Sequence, residues 1–177
     1  DKRGDLMATS DLNPIGILGV DFVEYTGPAS FSFESLFKRM GFTQTAKSES
    51  GNLQLFQQGK IRFILNNEKN SFAESFSKTH GPAICSMAFK VQNAELAFES
   101  AVAKGAKAYE GKEGKKIVNM PAVYGIGDSL IYFMDEQNKV EVYEKIFNLK
   151  FPLSEPKGFG MVNVDHFTNN VPKGEME

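Results

Sequence analysis

The chain has 177 residues, 41% hydrophobic and 24% charged, a composition that matches a globular rather than a disordered chain and suits one folded domain. Its 20 basic and 22 acidic residues leave a net charge of −2, so nucleic acid, which needs a concentrated basic face, is not expected as a partner. The single cysteine, Cys85, rules out an intramolecular disulfide framework, and no run reaches the ~20 apolar residues of a membrane span. A reducing, cytoplasmic setting fits.

Residues 1–12 read as a disordered or tag-like extension. Asp1–Ser10 is polar and lacks the apolar stretch of a signal peptide, and Met7 follows six residues that look vector-derived. The first periodic segment is Ile17–Tyr25, a strand with Leu18, Val20 and Phe22 on one face. After a Gly27-Pro28 turn, the stripe Phe33, Leu36, Phe37 and Met40 predicts a helix over roughly 30–40, ended by Gly41. Strands follow at about 42–46, 52–57 and 61–66, the last two joined by a tight turn at Gln58-Gly59-Lys60.

Residues 67–82 are a connector with a short helix from Ser71 to Lys78. The same order then returns: a strand over Ile84–Val91, a helix capped by Asn93 with the stripe Ala94, Ala97, Phe98, Ala101 and Val102, then strands at 106–110, 117–123 and 130–134. The expected fold is α+β: two paired βαβββ modules, at about 15–67 and 83–135, whose curved mixed sheets make one domain over 13–150. Its concave side is lined by strand residues. Lys139–Leu149 reads as strand-like or mixed. Residues 151–160, with Pro152, Pro156, Gly158 and Gly160, look like a linker. Residues 161–177 read as the first strand of a truncated third unit, so the sequence is expected to be the N-terminal part of something longer.

Of the two histidines, His80 ends a helix and reads as solvated, while His166 lies in an apolar strand context. Aligning the repeats places Phe22 of unit one and Phe89 of unit two in the slot that His166 takes in unit three. A neutral imidazole on a sheet face is a good ligand for a first-row metal, and phenylalanine is none. Cys85, between apolar neighbours, reads as a buried structural thiol, Asp135-Glu136 as a turn, and Gly16–Gly19 and Gly125–Gly127 as turns rather than dinucleotide loops.

The runs Asn13-Pro14-Ile15-Gly16-Ile17-Leu18-Gly19, Ile64-Leu65-Asn66-Asn67-Glu68 with His80-Gly81-Pro82, and Val164-Asp165-His166-Phe167-Thr168 resemble 4-hydroxyphenylpyruvate dioxygenase, in order over about residues 13–171. More broadly they resemble the vicinal-oxygen-chelate (glyoxalase-like) superfamily, and bacterial relatives of the dioxygenase carry haemolysin or legiolysin labels. The resemblance implies a non-haem Fe(II) enzyme that takes 4-hydroxyphenylpyruvate and O2 to homogentisate and CO2 in tyrosine catabolism and assembles as a homo-oligomer. It implies that His166 is one of three metal ligands, the other His and a Glu lying in a C-terminal half outside this sequence. Phe133 then falls in the carboxylate slot of the first half, which is expected to bind no iron and to hold no catalytic or cofactor-binding residue of its own. Position 169 is Asn where relatives often have His, a residue that is not a ligand. Two alternatives stay open: 4-hydroxymandelate synthase, which shares fold, iron and substrate, and a metal-free module holding a small ligand in its concave cavity.

Overall fold

Residues 12–169, 171, 173 and 174 are described by a computed structural model. In chain order the elements are β1 (Ile17–Thr26), α1 (Phe33–Arg39), β2 (Thr43–Lys47), β3 (Leu53–Gln58), β4 (Ile61–Asn66), α2 (Phe72–His80), β5 (Ala83–Val91), α3 (Ala94–Ala103), β6 (Ala122–Tyr124), β7 (Leu130–Met134) and α4 (Glu136–Lys139). The last continues into a π-helical stretch, Val140–Ile146. The seven strands form one sheet in the order β2-β3-β4-β1-β5-β7-β6. β1 and β5, the opening strands of the two modules, pair antiparallel at its centre, and each runs parallel to the closing strand of its own module. The paired-module fold read from the repeat is therefore the one observed.

The helix starts are written in short polar side chains. Ser32 Oγ accepts from Ser35 N, Ser71 Oγ from Glu74 N, and Asn93 Oδ1 from Leu96 N, each satisfying a donor that the first helical turn leaves free. Asp135 caps twice: one carboxylate oxygen accepts from Asn138 N in α4, the other from Ala94 N at the head of α3. The Asp135-Glu136 turn is thus the junction that ties α3 and α4 together.

Alternation along the strands sends side chains to two faces. On the outer face α1 covers Val23, Phe56, Phe63 and Leu65, and α3 covers Val91, Val123 and Phe133. On the inner face Phe22, Leu53, Leu55, Ile64, Ala88, Leu130, Tyr132 and Met134 meet Phe72, Ala73 and Phe76 of α2 and Val142, Tyr143 and Phe147 from the end of the domain. The middle of the inner side is filled by these side chains rather than left as an open concave surface.

Several expectations are corrected. Residues 106–110 form no strand; they contribute a single bridge, Ala108 to Val123, and of 117–123 only the end enters β6. Gly111 and Gly114 interrupt the run and let it fold back on the start of α2, where Phe72 N donates to Lys115 O. Lys139–Ile146 is helical rather than strand-like, and Phe147–Leu149 leave it as a turn. Val142, Tyr143, Ile146 and Phe147 all pack inward, a helical stripe hidden by its β-branched members. Residues 161–169 form no strand either. Val164 and Phe167 pack over the outer face near α1, so this stretch lies across the sheet and has no neighbouring strand to ladder with. The reading of residues 1–12 as an extension falls outside the described residues except for Leu12.

Candidate functional site

The inner face of the central strand pair is where the module repeat directs attention, and a pair of bulges shapes it. Val20 pairs with Phe89 and Phe22 with Ala88, so Asp21 is the extra residue on β1; Glu24 pairs with Ser86 and Tyr25 with Ile84, so Cys85 is the extra residue on β5. A bulge turns two successive side chains the same way. Asp21 and Phe22 both point inward, as do Cys85 and Ser86, leaving Val20, Val23 and Met87 outside.

That parity corrects the phenylalanine alignment. Phe22 is fully buried on the inner face, its ring 6.1 Å from that of Tyr132. Phe89 lies on the outer face, half-buried against Phe167, and Phe133 packs outward under α3 with Phe98. The inner positions beside them belong to Ala88 and Tyr132. One phenylalanine of the three occupies the inner slot, because a bulge shifts facing by one residue and a sequence alignment does not register it.

Two buried polar groups flank Phe22, and neither stood out in the sequence. At one end Asn66 Nδ2 donates to Glu24 Oε1 (2.6 Å) and Ser86 Oγ donates to Glu24 Oε2. Burial pushes the Glu24 carboxyl above its ordinary range, and these two bonds oppose that only in part. Cys85 beside it is buried; burial and the nearby Glu24 charge raise its thiol, and its Sγ donates to Glu24 O at 3.6 Å. It is inert, as its sequence context suggested. At the other end Tyr143 OH donates to Asp21 Oδ1, and Arg62 Nη1 lies 3.5 Å from Asp21 Oδ2 with its guanidinium 5.3 Å from the centre of the Tyr143 ring. Arg62 Nε has no partner among the described residues. A 220 Å³ cavity opens here, lined also by Lys90, Lys139 and Glu136; burial lowers the Lys90 ammonium from its usual value. Charged letters inside an otherwise apolar β1 were the available signal. With Glu155, which also lines the cavity, three acidic side chains face three basic ones, contributed by β1, β4, β5, α4 and the segment after the π-helix.

His166 is exposed, its side chain 71% accessible, and its Nδ1 sits 2.9 Å from Asp165 Oδ2. His80 ends α2 exposed to solvent, as its sequence context suggested, with its ring stacked on Phe76 at 4.2 Å between centres. Among the described residues no three His, Cys, Asp or Glu side chains converge on a point that could hold a metal ion. One imidazole with one neighbouring carboxylate does not make a two-His, one-carboxylate iron site, so the described residues do not by themselves fit the metal.

The family model described as the N-terminal domain of hydroxyphenylpyruvate dioxygenase matches residues 12–151. The chain belongs to the hydroxyphenylpyruvate dioxygenase family. It is 44% identical over 171 residues to protein MelA of Shewanella colwelliana, covering 95% of this chain and 48% of that one. It is 39% identical over 172 residues to hemolysin VllY of Vibrio vulnificus (94% and 48%), and 37% identical over 169 residues to the 4-hydroxyphenylpyruvate dioxygenase of Pseudomonas aeruginosa (93% and 47%). A solved xylose isomerase-like TIM barrel/4-hydroxyphenylpyruvate dioxygenase fusion protein superposes with a TM-score of 0.65 at 30% identity, over 77% of this chain and 22% of that one. The chain thus spans about half the length of the curated relatives it matches, and the resemblance read from residues 13–171 names the same family.

Proposed function

We propose that the whole protein is an Fe(II)-dependent dioxygenase that converts 4-hydroxyphenylpyruvate and O2 to homogentisate and CO2, and that residues 13–150 are its metal-free scaffold half. The observation that carries this reading is the match of the N-terminal family model over residues 12–151, together with relatives of that name at about twice the length. An inner face packed with Phe22, Tyr132, Tyr143 and the α2 phenylalanines supports it, since these side chains occupy the middle of that face and the 220 Å³ cavity beside Tyr143 is lined mostly by charged groups. The same packing weighs against a stand-alone module holding a ligand in its concave side.

In this reading His166 is one of three iron ligands, the others coming from beyond residue 177. The iron supplies activation of O2 and anchoring of the α-keto acid. This chain's own part is to hold the segment that bears His166 outside a dry core. The test is direct. Full-length protein given Fe(II), ascorbate and 4-hydroxyphenylpyruvate should yield homogentisate, and the 177-residue chain should yield none. In the full-length protein His166→Ala should abolish iron retention measured by metal analysis. Formation of 4-hydroxymandelate would transfer the assignment to the mandelate synthase, and unchanged iron in the variant would remove His166 from the ligand set.

A further inference from the structure

Residues 151–160 have the proline and glycine content of a loose joint, yet they are bound down along their length. Gln57 and Gln58, adjacent at the end of β3, are both fully buried. Gln58 Nε2 donates to Met40 O at 2.9 Å, and its Oε1 accepts from Phe159 N at 2.6 Å and Met161 N at 3.2 Å. Gln57 Oε1 accepts from Thr45 Oγ1 at 2.6 Å, and its Nε2 donates to Ser154 O at 3.1 Å. Between them Gly59 N donates to Pro156 O at 2.7 Å. The two segments touch backbone to backbone: a Cβ on Gly158, whose φ is +51°, would fall 2.5 Å from Gln58 Cδ and against Gly41 O, and one on Gly41 would fall 2.8 Å from the Phe159 ring.

We propose that Gln57 and Gln58 clamp residues 154–161 onto the β3–β4 turn, so that this segment is a rigid strap and the chain beyond it leaves the domain in one fixed orientation. Thr45 and Met40 hold one end of each amide, and the strap supplies the partners of the other ends, Gln57 Nε2 and Gln58 Oε1, so peeling it away breaks three hydrogen bonds to buried groups at once. Their position on successive residues satisfies one amide on each side of the strand end. That places paired contacts about five residues apart along the strap, at Ser154 and at Phe159 and Met161. The glycines at 41 and 158 supply the clearance. The connection between this half and the rest of the longer protein is therefore a joint of defined angle rather than a tether. These contacts hold the strap whatever the longer protein catalyses.

Amide hydrogen exchange on the 177-residue chain tests it, with trypsin cleavage after Lys157 as a second reading. Gly59, Phe159 and Met161 should exchange about 100-fold or more slowly than in an unstructured peptide. Gln58→Leu, which keeps the volume and removes the acceptor, should return Phe159 and Met161 to peptide rates and speed cleavage about tenfold or more. Gly158→Ala lies outside the sheet and should release the strap likewise while Phe56 and Phe63 stay protected, which separates a freed strap from a misfolded domain. Peptide-like exchange at Phe159 and Met161 in the unaltered chain overturns the proposal, as does unchanged protection in Gly158→Ala.

Discussion

The two modules share an element order and a sheet and solve the same packing problem with different side chains. Under α1 the first module buries a ring cluster in which Phe37 lies 4.9 to 6.2 Å, centre to centre, from Tyr25, Phe33, Phe42, Phe56 and Phe63. Under α3 the second module buries Ala94, Ala97 and Ala101 against Val91, Val123 and Phe133. Large rings fill a wide gap; alanines let a helix sit close. A duplicated backbone fixes topology, and each copy is then free to set its own helix-to-sheet distance so long as the volume between them is filled. The second copy also dissolved one strand into the loop after α3, because its glycines and a bond to α2 compete with the ladder.

The largest way to break that contrast is Phe37→Ala, which removes the centre of the ring cluster and should cost about 3–5 kcal/mol in urea denaturation. A loss below ~1 kcal/mol would mean the cluster collapses around the gap, and that the first module is not held by this ring. Phe22→Ala should cost about as much, whereas Phe89→Ala, half-buried on the other face, should cost about 1–2 kcal/mol. Equal costs would restore the simple alignment that the β1 bulge overturns. Ala97→Leu overfills the close helix contact and should cost about 1–3 kcal/mol, an effect that a loosely packed second module would not show.

The smallest effect concerns Glu24. Because burial raises its folded-state value, the native protein holds a proton that the unfolded chain releases earlier. Its contribution is fully present below the ordinary glutamate range and is lost as pH rises through the raised value. Glu24→Gln keeps a neutral hydrogen-bonding group in that place. Between pH 5 and 8 its denaturation midpoint should therefore fall less than that of the unaltered protein; parallel falls would show Glu24 to be ionised in the core.

Much of the fold was legible. The periodicity over β1, α1, β3, β4, β5 and α3, and the cap Asn93, are local signals, and a repeated order of local signals points to one architecture. The features that escaped have their cause elsewhere in the chain. Lys139–Ile146 carries the β-branched Val140, Val142 and Ile146, yet it is helical, and with the turn that follows it covers the inner face through Val142, Tyr143 and Phe147. In the sequence Gln57 closes a strand and Gln58 opens a turn, and their role emerges once Ser154, Phe159 and Met161 are laid against them.

The sequence by itself determined the paired-module sheet and the family, since both depend on spacing and residue type along the chain. Only the tertiary structure decided which side chains share a face across the sheet. Facing depends on where a strand carries one residue more than its neighbour, and that count exists only once two strands have paired.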